Sequence, residues 1–272
     1  MFFVALFFLW PQTARPANWL VAHRWISGLD EWTAAMHLAA FAAVLIPTVI
    51  AAWLERRSIA DYGLPWKRAF GARFWEGAAW GAGVTTLQVA LLQASQSISL
   101  HSAGLNIKTA FASCGRWAFA MLAIALFEEC LKRGYLQFVL GRSMGFWPAA
   151  ILLGSLFGLE KLLVPDYRNV IAFLGVVLYA LLVCLTLRLT GSLWFAIGFH
   201  SALEWTAVFV FGMSTPILPN PQGTLLTPVF QGPVWITGGQ SGLVASILTP
   251  LGFAFVWIML RHRFRQAENP SY

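Results

Sequence analysis

The stretch "ALFEECLKRGYLQ" (125–137) sets two neighbouring carboxylates, Glu128 and Glu129, directly after a run from Trp117 to Phe127 that carries no charge. Lys132 and Arg133 follow them. On a helix Glu128 faces Lys132 and Glu129 faces Arg133, both at i,i+4 and in the favoured order. Two salt bridges at a helix end, with long cations reaching for the headgroups, account for Lys132 and Arg133. They account poorly for the carboxylates, because an acid on the oily side of its cation costs about 2.5–3.5 kcal/mol to insert. Charge inside a membrane span marks function by default, and Arg133 can hold Glu129 through a bidentate pair.

A second polar pair stands in "GSLWFAIGFHSALEW", where His200 and Glu204 share a helix face at i,i+4. His200 lies about 12 Å along the helix from Ser192, and Glu128 about 6–8 Å from Lys132 and Arg133, at 1.5 Å per residue. Both pairs therefore sit at similar depth, which favours one shared site over two unrelated helix clamps. Glu160 and Lys161, in "GSLFGLEKLLVP", are adjacent and point about 100° apart on a helix. They either join the site, with Lys161 on the face of Phe157, or mark the outer end of their helix. His37, in "AAMHLAAF", reads as a polar packing residue.

The elements that must position these side chains are membrane spans. Hydrophobic residues make up 58% of the 272-residue chain, charged residues 11%, and 14 residues are Trp. Soluble domains are about 45–50% apolar and about 25% charged. Val170–Leu187, Leu189–Leu203 and Leu243–Leu260 contain no Asp, Glu, Lys or Arg, and about 20 apolar residues cross a bilayer. The expected fold class is all-α: a polytopic transmembrane helical bundle of about seven to eight spans, at roughly 33–54, 75–94, 111–131, 146–163, 170–189, 192–212 and 243–260. The opening "MFFVALFFLW" is read as a truncated or re-entrant helix, since it lacks the basic start and cleavage site of a signal peptide.

Basic residues concentrate in alternate connections: Arg56, Arg57, Lys67, Arg68 and Arg73; then Lys132, Arg133 and Arg142; then Arg188; then Arg261, Arg263 and Arg265. The positive-inside bias makes these loops and the C-terminus cytoplasmic. The net charge of +7 is therefore topology, and no nucleic-acid partner is expected. Cys114, Cys130 and Cys184 form no CxxC pair and read as packing residues. The chain reads as a single membrane domain over 1–272, with a cytoplasmic loop at 56–77, an uncharged outer loop at 213–242 and a flexible tail at 266–272.

With these residues in view, the chain resembles the CPBP family, the CAAX prenyl proteases of the Rce1 type and the bacteriocin-processing, or Abi, membrane endopeptidases. The family's three intramembrane motifs are EExxxR, FxxxH and HxxxN. "EECLKR" (Glu128, Glu129, Arg133) matches the first in full; "FGLEK" puts Lys161 where the second has His; "HSALE" puts Glu204 after His200 where the third has Asn. The resemblance covers about 110–210, with a weaker likeness in "ADYGLP". It implies an intramembrane endopeptidase in which Glu128 activates water near the cytoplasmic face and His200, with residue 204, steadies the oxyanion. The location it implies is a bacterial plasma membrane. The partners implied are the lipid bilayer and a peptide substrate, prenylated or a bacteriocin-type leader.

Both departures touch the chemistry. Lys161 as a cation neither ligates metal nor accepts a proton, and an ionised Glu204 accepts hydrogen bonds only. Glu128, His200 and Glu204 are the residues that would gather a divalent metal such as zinc, though one histidine is thin support for it. Three readings stay open: a working endopeptidase, a catalytically weakened relative that binds or regulates a membrane partner, and an ion or proton transporter. The last lacks the inverted repeat and paired broken helices expected of it.

Overall fold

The structure, a computed structural model, describes residues 12–163, 169–215, 218 and 220–268. The side chains of Glu160, Lys161, Gln240 and 264–268 lie outside it, as does the expected first helix at 1–10. The chain forms α1 (Ala14–Ala22), α2 (Leu29–Leu54), α3 (Ala72–Ala94), β1 (Ile98–Ser102) and α4 (Ile107–Glu129). A π-helical turn, Cys130–Tyr135, joins α4 to α5 (Leu136–Met144). Then come α6 (Phe146–Leu163), α7 (Val170–Thr190), α8 (Trp194–Trp205) with a π-helical turn at Thr206–Val210, β2 (Leu226–Phe230), α9 (Val234–Thr237) and α10 (Leu248–Glu268).

Local chemistry fixes the helix ends. Asn106 accepts from the Thr109 amide at 2.9 Å, and Asn169 accepts from Ile171 and Ala172 at 2.8 and 3.2 Å. These side chains cap amides that α4 and α7 leave without partners. Gly191, with φ of 63°, closes α7 in the left-handed conformation that costs glycine least. Among the described residues three helical stretches are long and apolar enough to cross a membrane: Leu29–Leu54, Ile107–Met144 and Val170–Thr190. The apolar part of α6 is shorter, Phe146–Leu159. Large side chains such as Trp53 and Phe111, 76% and 81% exposed, are what a lipid-facing surface presents.

Helices α3 and α8 approach backbone to backbone at three glycines. A Cβ on Gly77 would lie 2.0 Å from the Phe195 carbonyl oxygen, and one on Gly81 2.1 Å from that of Phe199. From the other side, a Cβ on Gly198 would lie 2.0 Å from the carbonyl oxygen of Phe74. Small residues let membrane helices approach backbone to backbone, and this contact sets the position of α8. The connector 56–71 closes over the start of α8: the Leu193 amide donates to the Gly63 carbonyl at 2.8 Å, and the Trp194 indole to that of Pro65 at 3.2 Å.

Several details differ from the sequence expectation. β1 and β2 form a two-stranded antiparallel ribbon, Ile98 opposite Phe230 and Ser102 opposite Leu226. It ties the uncharged segment 213–242 to the α3–α4 connection. The last helix begins at Leu248, after a 3₁₀ turn at Leu243–Ala245. It continues through Glu268, past the start of the tail expected at 266.

Candidate active site

Glu129 occupies the last position of α4 and is fully buried. Such a carboxylate is tolerated only if its oxygens are met by donors. One Arg133 nitrogen, Nη1, lies 3.2 Å from Oε1 and 3.0 Å from Oε2. Tyr179 of α7 donates its hydroxyl to Oε1 at 2.8 Å, and His200 of α8 places Nδ1 2.8 Å from the same oxygen. An ionised carboxylate only accepts, so Nδ1 carries the proton and Nε2 is left for other work. Arg133 therefore holds Glu129 from one nitrogen across both oxygens, and the fork expected from the sequence is not formed.

Glu128, one residue earlier, points elsewhere. It pairs with Lys132 and lines a cavity of 210 Å³. Arg133, Tyr179, His200 and Glu204 share that wall. His200 Nε2 and Glu204 Oε1 stand 3.5 Å apart, while Glu204 Oε2 is buried with no hydrogen-bond partner among the described residues. Lys132 lies over the Phe157 ring at 5.0 Å and the Arg133 guanidinium over the Tyr179 ring at 5.3 Å.

Both polar helix ends pass into π-helical turns, Cys130–Tyr135 after Glu129 and Thr206–Val210 after Glu204. Gly134 breaks helical geometry within the first, with ψ of −117°. Such turns re-aim side chains and recur at functional sites. Here the kink at Gly134 sends α5 off in a new direction.

The far wall of the cavity is built by Ser214, Thr215, Gly242 and Leu243, from the uncharged segment and its junction with the last helix. The cavity thus runs from Glu128, Lys132 and Arg133 to the uncharged segment. The Arg133–Glu129 pair and the docked 56–71 connector occupy the basic side.

The residues expected to form the site are partly assembled. Glu128, Glu129, Arg133, His200 and Glu204 come together. Lys161 is a residue of α6 whose side chain lies outside the described residues. His37 is buried apart from the cavity, with Nδ1 2.8 Å from the Thr33 carbonyl oxygen and its ring against Phe127. No group of three or more His, Cys, Asp or Glu among the described residues is arranged to hold a metal ion. Tyr179 was missed, although one phenol in the otherwise apolar stretch "VIAFLGVVLYALLV" must find a partner inside the protein.

No curated protein matches the sequence. Residues 110–206 match the family model for type II CAAX prenyl endopeptidase Rce1-like proteins, and every motif position discussed above falls inside them. Over this site-bearing segment the chain is similar to the Rce1-like type II CAAX prenyl endopeptidases, and its long apolar helices make it an integral membrane protein.

Proposed function

We propose that the chain is a working intramembrane endopeptidase in which Glu128 is the general base and Glu129 is structural. The observation that carries this reading is the division between the two acids. Glu129 is held by Arg133, Tyr179 and His200 behind the wall, while Glu128 faces the cavity. Water in the cavity gives a proton to Glu128 as its oxygen bonds to the peptide carbonyl carbon. The C–N bond then breaks, and Glu128 returns the proton to the leaving amine. His200 donates to the oxyanion when Nε2 is protonated, its ring fixed by Glu129 through Nδ1.

Glu204 stands 3.5 Å from His200 Nε2, at the position where the family motif has Asn, and lines the same cavity. Its Oε2 has no hydrogen-bond partner among the described residues, and Glu204→Asn, which brings an amide donor to this place, should keep or raise the activity. The apolar walls, with Val84, Val176, Leu203 and Phe253, suit a peptide carrying a lipid. The substrate enters from the face of the uncharged segment, which the positive-inside bias makes the outer one.

The test uses the chain in nanodiscs with a quenched fluorescent peptide ending in a farnesylated CAAX tail, and the same peptide without the lipid. Cleavage of either by the wild type, lost in Glu128→Gln, is the expected result. A chain that cleaves neither, even with Lys161→His and Glu204→Asn combined, would overturn the hydrolase reading and leave a binding protein.

A further inference from the structure

A second cavity, of 310 Å³, lies on the basic side of the Glu129–Arg133 pair. Arg133, Gln137, Phe138, Arg142, Phe146 and Asp61 are among its lining residues. Three observations give it a chemistry. First, Arg142 lines it, and further cations stand against its aromatic lining residues. The Arg57 and Arg142 guanidiniums both lie over the Phe138 ring, at 5.1 and 5.7 Å, and Arg188 lies over Phe146 at 5.6 Å. Arg57 is committed to Glu55, 3.5 Å away, and to Asp61, 4.0 Å away. Among the described residues neither Arg142 nor Arg188 forms an ion pair.

Second, Gln137 is 2% exposed and its Oε1 has no hydrogen-bond partner among the described residues, while its Nε2 donates to the Phe146 carbonyl at 2.9 Å. Exchanging the amide atoms would set two acceptors against each other, so the partnerless atom is an oxygen that needs a donor. A ligand that satisfies this wall carries an anion for Arg142 and a hydroxyl or ammonium for Gln137. Third, the cavity lies among the basic connections, at the level where bilayer headgroups and their phosphates meet a membrane protein.

We propose that this cavity binds a phosphate ester bearing a hydroxyl or amino group, of the kind presented by a glycerophospholipid headgroup. The phosphate faces Arg142, with Arg188 adding charge, and the hydroxyl or ammonium donates to Gln137 Oε1. The site is independent of any peptidase activity.

Native mass spectrometry of the intact chain in detergent tests it, titrating phosphatidylglycerol, phosphatidylethanolamine, phosphatidylcholine and water-soluble glycerophosphoglycerol. The expected result is retention of phosphatidylglycerol or phosphatidylethanolamine over phosphatidylcholine, whose quaternary ammonium has no proton to donate. Arg142→Ala and Gln137→Leu should each weaken binding about tenfold, with unchanged helix content by circular dichroism. Arg68→Ala, a basic residue outside the cavity lining, should leave it unchanged. Equal binding of glycerophosphoglycerol would identify a soluble phosphate ester as the source; preference for the lipid would identify the bilayer. Equal affinity for all three lipids, or affinity indifferent to Arg142 and Gln137, would overturn the proposal.

Discussion

Replacing each carboxylate of the Glu128–Glu129 pair in turn separates the roles assigned to them. Glu129→Gln keeps the shape but removes the charge that Arg133 faces, and Arg133 is only 4% exposed. Removing one partner of a buried ion pair costs about 3–5 kcal/mol, because the other charge is left uncompensated. At about 2–4 °C per kcal/mol for a chain of this size, the apparent Tm should fall by about 6–20 °C. Glu128→Gln acts on a pair whose side chains are 27% and 17% exposed and which borders a cavity. Pairs with such access to solvent contribute about 1 kcal/mol or less, so the fall should be about 4 °C or less. The assay is intrinsic fluorescence during heating of both variants in the same detergent, read from the chain's 14 tryptophans. Equal shifts, or a larger one for Glu128→Gln, would refute the division of roles.

Other outcomes follow from the same contacts. Tyr179→Phe keeps the ring against His200 and Phe253 but removes one donor to a buried carboxylate. It should cost about 1.5–3 kcal/mol, a smaller Tm loss than Glu129→Gln. Gly81→Ala drives a methyl into the Phe199 carbonyl oxygen and should destabilise by about 1–3 kcal/mol, whereas Gly83→Ala, with nothing within 4 Å, should be tolerated; paired thermal scans compare them. In the 56–71 connector, burial and then the hydrogen bond to Glu55 push the Tyr62 phenol up to about 12. The folded state therefore holds this proton after the unfolded chain has lost it. The associated stability is intact below about pH 10 and is lost as pH rises from about 10 toward 12; thermal scans across that range should show a shallower decline in Tyr62→Phe.

Much of this site was legible because its residues are local on helices. The i,i+4 spacing gave both Glu–Lys/Arg pairs and the His200–Glu204 face, and the cost of buried charge singled out these positions from an oily background. What the sequence concealed depends on contacts between distant segments. The burial of Glu129 rests on Tyr179 and His200 arriving from two other helices. The α3–α8 approach rests on Gly77, Gly81 and Gly198 falling opposite carbonyls, which no single-helix pattern reveals. The ribbon pairs strands from opposite halves of the chain, each too short to announce itself. The direction of the cavity depends on how 213–215 and 242–244 fold back over the helix ends, and charge counts along the loops do not report it.

The central claim is that Glu128 activates water for peptide-bond hydrolysis. Cleavage of the CAAX-tailed peptide in heavy-oxygen water, followed by mass spectrometry of the products, tests it most directly. The account predicts label in the new carboxyl group from the wild-type chain, and no product from a folded Glu128→Gln variant. Cleavage by Glu128→Gln at the wild-type rate would contradict it.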